Sequence, residues 1–139
     1  KIKSWYIPRN NLFSLWKQYF QYGFWKVLVF KKHKMHASWR HYIPGIFVLF
    51  VLLGLPFCLI YNFFLPIYIG VLMVYLGFIL TGSFISAYKD GWDLFPLLPI
   101  ILMIFHFSYG LGYLLGIWHF IILNKNTLQK ESIFTKLTR

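Results

Sequence analysis

The residues best suited to chemistry lie between positions 18 and 26, where amides, aromatic rings and a cation follow one another closely. The amides of Gln18 and Gln21 can hydrogen-bond sugar hydroxyls or phosphate oxygens. The indole of Trp25 can stack on a sugar ring, and Lys26 can neutralise a phosphate. Membrane anchoring is the simpler interpretation of such aromatic residues. The stretch carries more polar groups than anchoring needs, so anchoring and contacts with a sugar or a phosphate both stay open.

Acidic and metal-binding residues are scarce. The acids are Asp90, Asp93 and Glu131. No two of them can be placed in a pocket for general acid or base catalysis, so the sequence predicts no catalytic residue. The spacing of His33 and His36 could suit a metal, but no third ligand is near and the neighbours are cationic. The sequence therefore predicts no metal site in this stretch.

A histidine inside an apolar run is a second candidate for function. His106, Tyr109 and Tyr113 follow at i, i+3 and i+7, so they form one stripe on a helix. An ionisable group within a membrane segment is a functional candidate by default. A neutral imidazole bonded to Tyr109, Ser108 or another helix would also explain His106 without a catalytic role. The sequence leaves both interpretations open.

Long apolar segments must form the framework that positions these residues. Charged residues make up only 12% of the chain, against about 25% in a typical soluble domain. The 47 residues from Tyr42 to Tyr88 contain no acid, lysine, arginine or histidine, which is enough for two spans of about 20 residues each. Asn62 and Pro66 mark the break. We predict spans at about 43–60 and 67–88.

A third apolar run extends from Leu94 to Leu123, and its two prolines confine the predicted span to about 100–121. The alternative is a re-entrant segment that breaks at 108–112 and returns to the same side. We predict a transmembrane region over 42–123 and a polar tail over 124–139.

Small residues predict where these helices pack. Pairs four residues apart occur at Gly77 and Thr81, Gly82 and Ser86, and Gly112 and Gly116. In lipid, helices associate by close packing at small residues. The first two pairs predict that the second span is the inner helix of the bundle, and the third forms a GxxxG contact surface.

The first 41 residues are predicted to comprise an N-terminal loop, an amphipathic helix and a basic linker. Asn10 or Asn11 can cap a helix that begins near Leu12 and continues to Phe30. Its lysines make it too polar to span comfortably, since a lysine at the bilayer centre costs about 2.5 to 3.5 kcal/mol. We expect it to lie flat at the interface. The predicted fold class is an all-α membrane protein with an interface helix before about three transmembrane helices.

The net charge of +11 indicates an anionic partner, which could be a membrane or a nucleic acid. Nine of the fourteen lysines and arginines precede the first span. Cations beside a membrane segment mark its cytoplasmic side and attract anionic headgroups, so a lipid bilayer explains the charge better than nucleic acid does. Four further cations in the tail leave its side of the membrane open.

Several short motifs recur in an order that resembles a known family. They are Tyr6-x-Pro8-Arg9, Leu15-x-x-Gln18-Tyr19-Phe20-x-Tyr22-Gly23-x-Trp25-Lys26, Arg40-His41-x-Ile43-Pro44 and His106-Phe107-Ser108-Tyr109-Gly110-Leu111-Gly112-Tyr113-Leu114-x-Gly116. This order resembles the C-terminal membrane region of family 2 glycosyltransferases, most closely the succinoglycan-biosynthesis, ExoA-like group. The resemblance implies an upstream cytoplasmic catalytic domain that binds a nucleotide-sugar and a divalent metal, Mg or Mn. Nothing of that domain lies in this stretch, and Lys1 indicates a piece of a longer or processed chain.

Processive members of related families carry a Gln-x-x-Arg-Trp motif on an interface helix near the acceptor sugar. The matching positions here are Gln18, Gln21 and Tyr22, so the arginine and the tryptophan are both replaced. The resemblance therefore implies single addition of a sugar to a lipid-linked saccharide in exopolysaccharide or envelope synthesis, at the inner membrane. The residues assigned to substrate contacts are Arg9, Gln18, Gln21, Tyr22, Trp25 and Lys26. The rival interpretation is a small membrane scaffold or a transport-complex subunit.

Overall fold

The computed structural model describes residues 11–33 and 39–124, and every regular element in those two ranges is helical. The predicted all-α fold is confirmed. The predictions for Arg9, for linker residues 34–38 and for tail residues 125–139 lie outside the described ranges.

The first helix, α1, extends over Leu12–His33. It begins at the predicted residue because Asn11 caps it. The Asn11 side-chain oxygen accepts the backbone N–H of Phe13 at 2.9 Å, and its carbonyl accepts that of Leu15 at 3.1 Å. These bonds satisfy N–H groups that a first helical turn leaves unpaired. Three basic residues in the last turn complement the negative end of the helix dipole, and α1 extends past the predicted end.

The two spans predicted within the charge-free run form a helical hairpin. Helix α2 covers Trp39–Ile60, and α3 covers Leu65–Asp90. A short 3₁₀ turn at Asn62–Phe64 joins them, at the predicted break. Helix α2 begins about one turn earlier than predicted, so Pro44 lies inside it and not at its start.

The last helix, α4, covers Leu98–Gly116 and continues as a π-helical segment over Ile117–Ile122. The wider turn is visible where the N–H of Leu123 bonds the carbonyl of Trp118, five residues earlier, at 2.9 Å. The backbone is helical throughout 108–112, so the re-entrant break is absent from this helix.

Of the four helices in residues 11–33 and 39–124, three are long and apolar enough to cross a membrane. They are Trp39–Ile60, Asn62–Asp90 and Leu98–Ile122. Their large apolar side chains are widely exposed, for example Leu59 at 81% and Phe78 at 76%. Exposed apolar surface on this scale is costly in water and suits a lipid solvent. Length, composition and exposure together describe a membrane protein.

Helix α4 is the centre of the described bundle. It packs most extensively against α1, then α2, then α3, whereas α2 and α3 meet mainly through side chains, such as Tyr68, whose hydroxyl bonds the carbonyl of Val51. The prediction that the second span is the inner helix is therefore wrong. In the most apolar stretch of α3 only 11% of the residues are buried, whereas in that of α4 28% are buried. Gly70 and Gly77 of α3 have open space beside them, so these small residues contact no other described helix.

Glycines bring α1 and α4 into direct backbone contact. A Cβ added at Gly23 would overlap the carbonyl oxygen of Tyr109. A Cβ added at Gly112 would overlap the carbonyl oxygen of Phe20. The predicted GxxxG surface of Gly112 and Gly116 is thus used within the chain, where it accepts α1. We call this contact the glycine seam.

The glycine seam aligns α1 with α4 in the same direction. Tyr19 stacks on Phe105 with ring centroids 4.1 Å apart, and Lys31 hydrogen-bonds Asn124 at 2.7 Å. Contacts advance together along both helices, so α1 accompanies α4 over about three turns. A helix that lay flat on the bilayer would meet a spanning helix at one level only. The flat orientation that the sequence predicts for α1 therefore does not fit its alignment with α4.

Helix α2 crosses α4 at a further glycine. Gly110 faces the carbonyl of Pro44, and a Cβ at that position would lie 2.5 Å from the side chain of Val48. This close crossing places the first turn of α2, which contains Arg40 and His41, beside the middle of α4.

Candidate functional site

Gln18 and Tyr22 of α1 form a hydrogen-bonded pair. The Gln18 side-chain amide donates to the Tyr22 hydroxyl at 2.8 Å, as residues one helical turn apart can do. Tyr22 is 55% exposed. Helical periodicity puts both residues on the face of α1 opposite the glycine seam. The structure thus brings together two predicted substrate contacts and leaves them accessible.

Trp25 and Lys26 have other neighbours. The Trp25 indole packs edge-to-face on Phe24 and lies 6.0 Å from the ring of Phe120, measured between centroids. The Lys26 ammonium lies 5.3 Å from the centroid of the Phe30 ring, which is a cation–π contact. Trp25 therefore joins the packing of the core, and its predicted stacking on a sugar stays a prediction.

Two further predicted contacts are less defined. Gln21 is half-buried on α1, one residue before Tyr22. Arg9 lies before the described ranges. Their proposed contacts with sugar or diphosphate stay predictions.

An open cleft lies where α1, α2 and α4 meet, and we call it the junction cleft. Its volume is about 220 Å³. Its lining residues are Tyr19, Arg40, His41, Pro44, Phe105, His106 and Tyr109. Each helix contributes an aromatic or cationic group. The glycine seam holds α1 against α4, and the crossing at Gly110 holds α2 against α4.

The tyrosine and histidine side chains of the cleft have defined partners. The Tyr109 hydroxyl lies 3.2 Å from Nδ1 of His41, and Nδ1 of His106 lies 3.0 Å from the carbonyl of Leu102. A carbonyl only accepts, so this hydrogen bond needs a proton on Nδ1 of His106. His106 thus has a partner within its own helix, which is neither Tyr109 nor Ser108 nor a group on another helix, and its role stays open.

The junction cleft and the Gln18–Tyr22 pair are adjacent. The rings of Tyr19 and Tyr22 lie 5.7 Å apart, edge to face, and Tyr19 in turn stacks on Phe105 in the cleft wall. A path of aromatic rings therefore connects the exposed amide to the cleft. Such an arrangement offers flat faces for a sugar ring and hydrogen-bonding groups for its hydroxyls.

Cations dominate the charge near the cleft. The guanidinium of Arg40 lines it, and the Lys26 ammonium lies on the far side of the Phe30 ring, which is 5.4 Å from the His41 ring. In the described ranges the only carboxylates are Asp90 and Asp93, at the turn between α3 and α4. The cleft can therefore attract an anion such as a phosphate.

No group of three histidine, cysteine, aspartate or glutamate side chains that could hold a metal occurs in residues 11–33 and 39–124. The residues of the cleft do not fit a divalent metal, because hard cations take several oxygen ligands, mainly carboxylates and carbonyls. A metal implied by the resemblance would have to be held elsewhere.

Removing the Tyr109 hydroxyl tests whether the junction cleft is held by its hydrogen bond. We expect Tyr109→Phe to lower the free energy of unfolding by about 0.5 to 1 kcal/mol, because the ring packing stays and one hydrogen bond to His41 is lost. Thermal unfolding in detergent micelles measures the change. Tyr88→Phe is the control, since Tyr88 is 75% exposed on α3. Equal shifts in the two variants would contradict the role of the bond.

Sequence reasoning missed the contribution of three cleft residues. Tyr19, Arg40 and His41 occur in the motifs that carry the resemblance, but no role follows from their spacing. Arg40 and His41 looked like part of a basic linker. The close packing of α2 on Gly110, which brings them to α4, is not readable from one sequence.

Comparison with known protein families, with curated proteins and with solved structures finds no match to this chain.

Proposed function

We propose that this chain is the membrane part of a glycosyltransferase that transfers a sugar from a nucleotide-sugar to a lipid-linked saccharide. The proposed location is the inner membrane, with the N-terminal side cytoplasmic. The observation that carries the proposal is the exposed Gln18–Tyr22 pair, joined by aromatic rings to a cationic cleft beside apolar helices. The product would serve exopolysaccharide or envelope synthesis.

The composition of this surface matches the three parts of a lipid-linked saccharide. The amide of Gln18 and the phenol of Tyr22 suit sugar hydroxyls. Arg40 and Lys26 suit the diphosphate that joins sugar to lipid. The exposed apolar faces of α2 and α3 suit the hydrocarbon chain.

The reaction needs groups beyond the described residues. Deprotonating an acceptor hydroxyl calls for a positioned base, and in the described ranges the carboxylates are confined to the turn after α3. Under this proposal, an upstream cytoplasmic domain supplies the base, the nucleotide pocket and the divalent metal. The membrane part then binds and orients the acceptor.

Alanine at Gln18 tests the proposal in the product of the complete gene. We expect Gln18→Ala to lower the transfer of labelled sugar into lipid-extractable product by about fivefold, because one hydrogen bond to the acceptor is worth about 1 kcal/mol. The assay uses membranes supplied with radiolabelled nucleotide-sugars. Tyr22→Phe keeps the ring and is expected to have a smaller effect.

Asn62→Ala is the matched control, because Asn62 is an exposed amide at the turn between α2 and α3. We expect it to leave transfer unchanged. Equal transfer by the Gln18→Ala variant and the parent would remove Gln18 from the site. Failure of the complete gene product to transfer any labelled sugar would overturn the proposed function itself.

A non-enzymatic scaffold or transport-complex subunit is the second candidate. One observation favours it: Gly70 and Gly77 of α3 face open space, and small residues on a lipid-facing helix suit contact with another helix. Gly112 and Gly116 do not support it, since α1 covers them. A scaffold predicts no sugar transfer, and Gly77→Leu would release its partner subunit.

A further inference from the structure

A second open cavity lies between the C-terminal halves of α1 and α4 and the start of α2, and its volume is about 520 Å³. Its walls are mainly apolar and include Val27, Phe30, Ile117 and Ile121. Binding pockets for small molecules typically combine such walls with a few placed polar groups, in a volume of roughly 300 to 1,000 Å³. This cavity is distinct from the junction cleft.

A fixed cation lies at the cavity. The Lys31 ammonium donates to the carbonyl of Phe120 at 2.6 Å and to the side-chain oxygen of Asn124 at 2.7 Å. Lys31 and Asn124 both line the cavity. These two bonds fix the ammonium at the end of α4, where backbone carbonyls lack helical partners. An ammonium has three protons, so one remains for a further acceptor.

The charge of Lys31 has no carboxylate to neutralise it within the described ranges, since Asp90 and Asp93 belong to the turn before α4. Two tyrosines in the lining add hydroxyl groups to it. They are Tyr42 and Tyr113, whose rings pack edge-to-face with centroids 5.9 Å apart. An apolar chamber with one cation and phenol groups is complementary to a hydrocarbon chain that ends in an anionic group.

We propose that this cavity binds a lipid that carries a phosphate, with one hydrocarbon chain against Val27, Phe30, Ile117 and Ile121 and the phosphate on Lys31. The site does not depend on sugar transfer, and it would be present in a scaffold as well. It differs from general attraction of the basic chain to a membrane, because it requires one fixed lysine and one apolar chamber.

Lysine-to-glutamine substitution separates this site from general charge attraction. Glutamine at position 31 keeps two N–H donors on a slightly shorter side chain, but it carries no charge. We expect Lys31→Gln to weaken retention of phosphatidylglycerol by the full-length chain about fivefold, which one cation contributes near an anionic headgroup. Native mass spectrometry from mixed micelles measures the retained lipid. Lys32→Gln is the control, because Lys32 is exposed and does not line the cavity.

A second variant tests the chain-binding half of the site. Ile121 is 58% exposed, so Ile121→Trp can fill the cavity without entering the core. We expect it to weaken retention of phosphatidylglycerol and of phosphatidylcholine alike, whereas Lys31→Gln affects the anionic lipid more.

Three outcomes would overturn the proposal. Equal losses with Lys31→Gln and Lys32→Gln would show general charge attraction. Unchanged retention with Ile121→Trp would show that the chain lies elsewhere. Displacement of phosphatidylglycerol by inorganic phosphate at equal concentration would show a site for the phosphate alone.

Discussion

Replacing Gly112 by leucine is expected to separate α1 from α4. Any side chain at this position would overlap the backbone carbonyl of Phe20, and backbone cannot move aside as a flexible side chain can. Overpacking of this kind costs about 1 to 3 kcal/mol in well-packed cores, and the rigid obstacle puts Gly112→Leu at the upper end. We expect a loss of about 3 kcal/mol in the free energy of unfolding.

Two measurements follow the separation. Thermal unfolding in micelles reports the stability, and spin labels on Val29→Cys and Trp118→Cys report the distance between the helices in a Cys58→Ser background. Gly77→Leu is the matched control, because no atom of another described helix lies within 4 Å of a Cβ at Gly77. We expect it to leave both quantities nearly unchanged. A Gly112→Leu variant with the parental distance and stability would show that the glycine seam does not hold α1.

Truncating Phe120 is expected to give the second large effect. Phe120 is fully buried, and its ring lies 4.9 Å from the ring of Phe24, between centroids. Phe-to-Ala changes cost about 3 to 5 kcal/mol in water-soluble cores. Lipid solvates phenylalanine better than water does, so part of that cost vanishes, while the lost packing remains. We expect Phe120→Ala to lower the free energy of unfolding by about 2 to 3 kcal/mol in micelles.

Phe78→Ala isolates the packing contribution. Phe78 lies on α3 with 76% of its surface exposed, so its truncation removes contacts with lipid or detergent and leaves the core intact. We expect a change in unfolding free energy below about 0.5 kcal/mol. Similar losses for the two phenylalanine variants would indicate that α1 and α4 do not form the core around Phe120.

These predictions centre on α4, which the sequence did not identify as the central helix. Small residues four apart on α3 looked equivalent to the GxxxG pair of α4, because composition alone does not say which small-residue face has a partner. The structure places α1 on Gly112 and Gly116 and leaves Gly77 exposed. The number of clashing backbone neighbours, and not the motif, separates a helix contact from a lipid-facing glycine.

The candidate site also combines contacts that local sequence predicts with contacts that only the fold creates. Gln18 and Tyr22 are one turn apart on a helix, so their pairing follows from local periodicity. The approach of His41 to Tyr109 depends on residues 68 positions apart and on the crossing of α2 over Gly110. No local rule brings them together.

The sequence by itself determined that the chain is helical, that α1 begins near Leu12 after Asn10 or Asn11, where Asn62 breaks the hairpin, and that about three helices suit lipid. These features follow from hydrophobic length and from local capping and turn chemistry, which act within a few residues. Only the tertiary structure decided that α1 aligns with α4, that α4 is central, and that Arg40, His41 and Lys31 line cavities. In lipid these choices depend on close packing between distant segments, because apolar side chains gain little from one another over lipid.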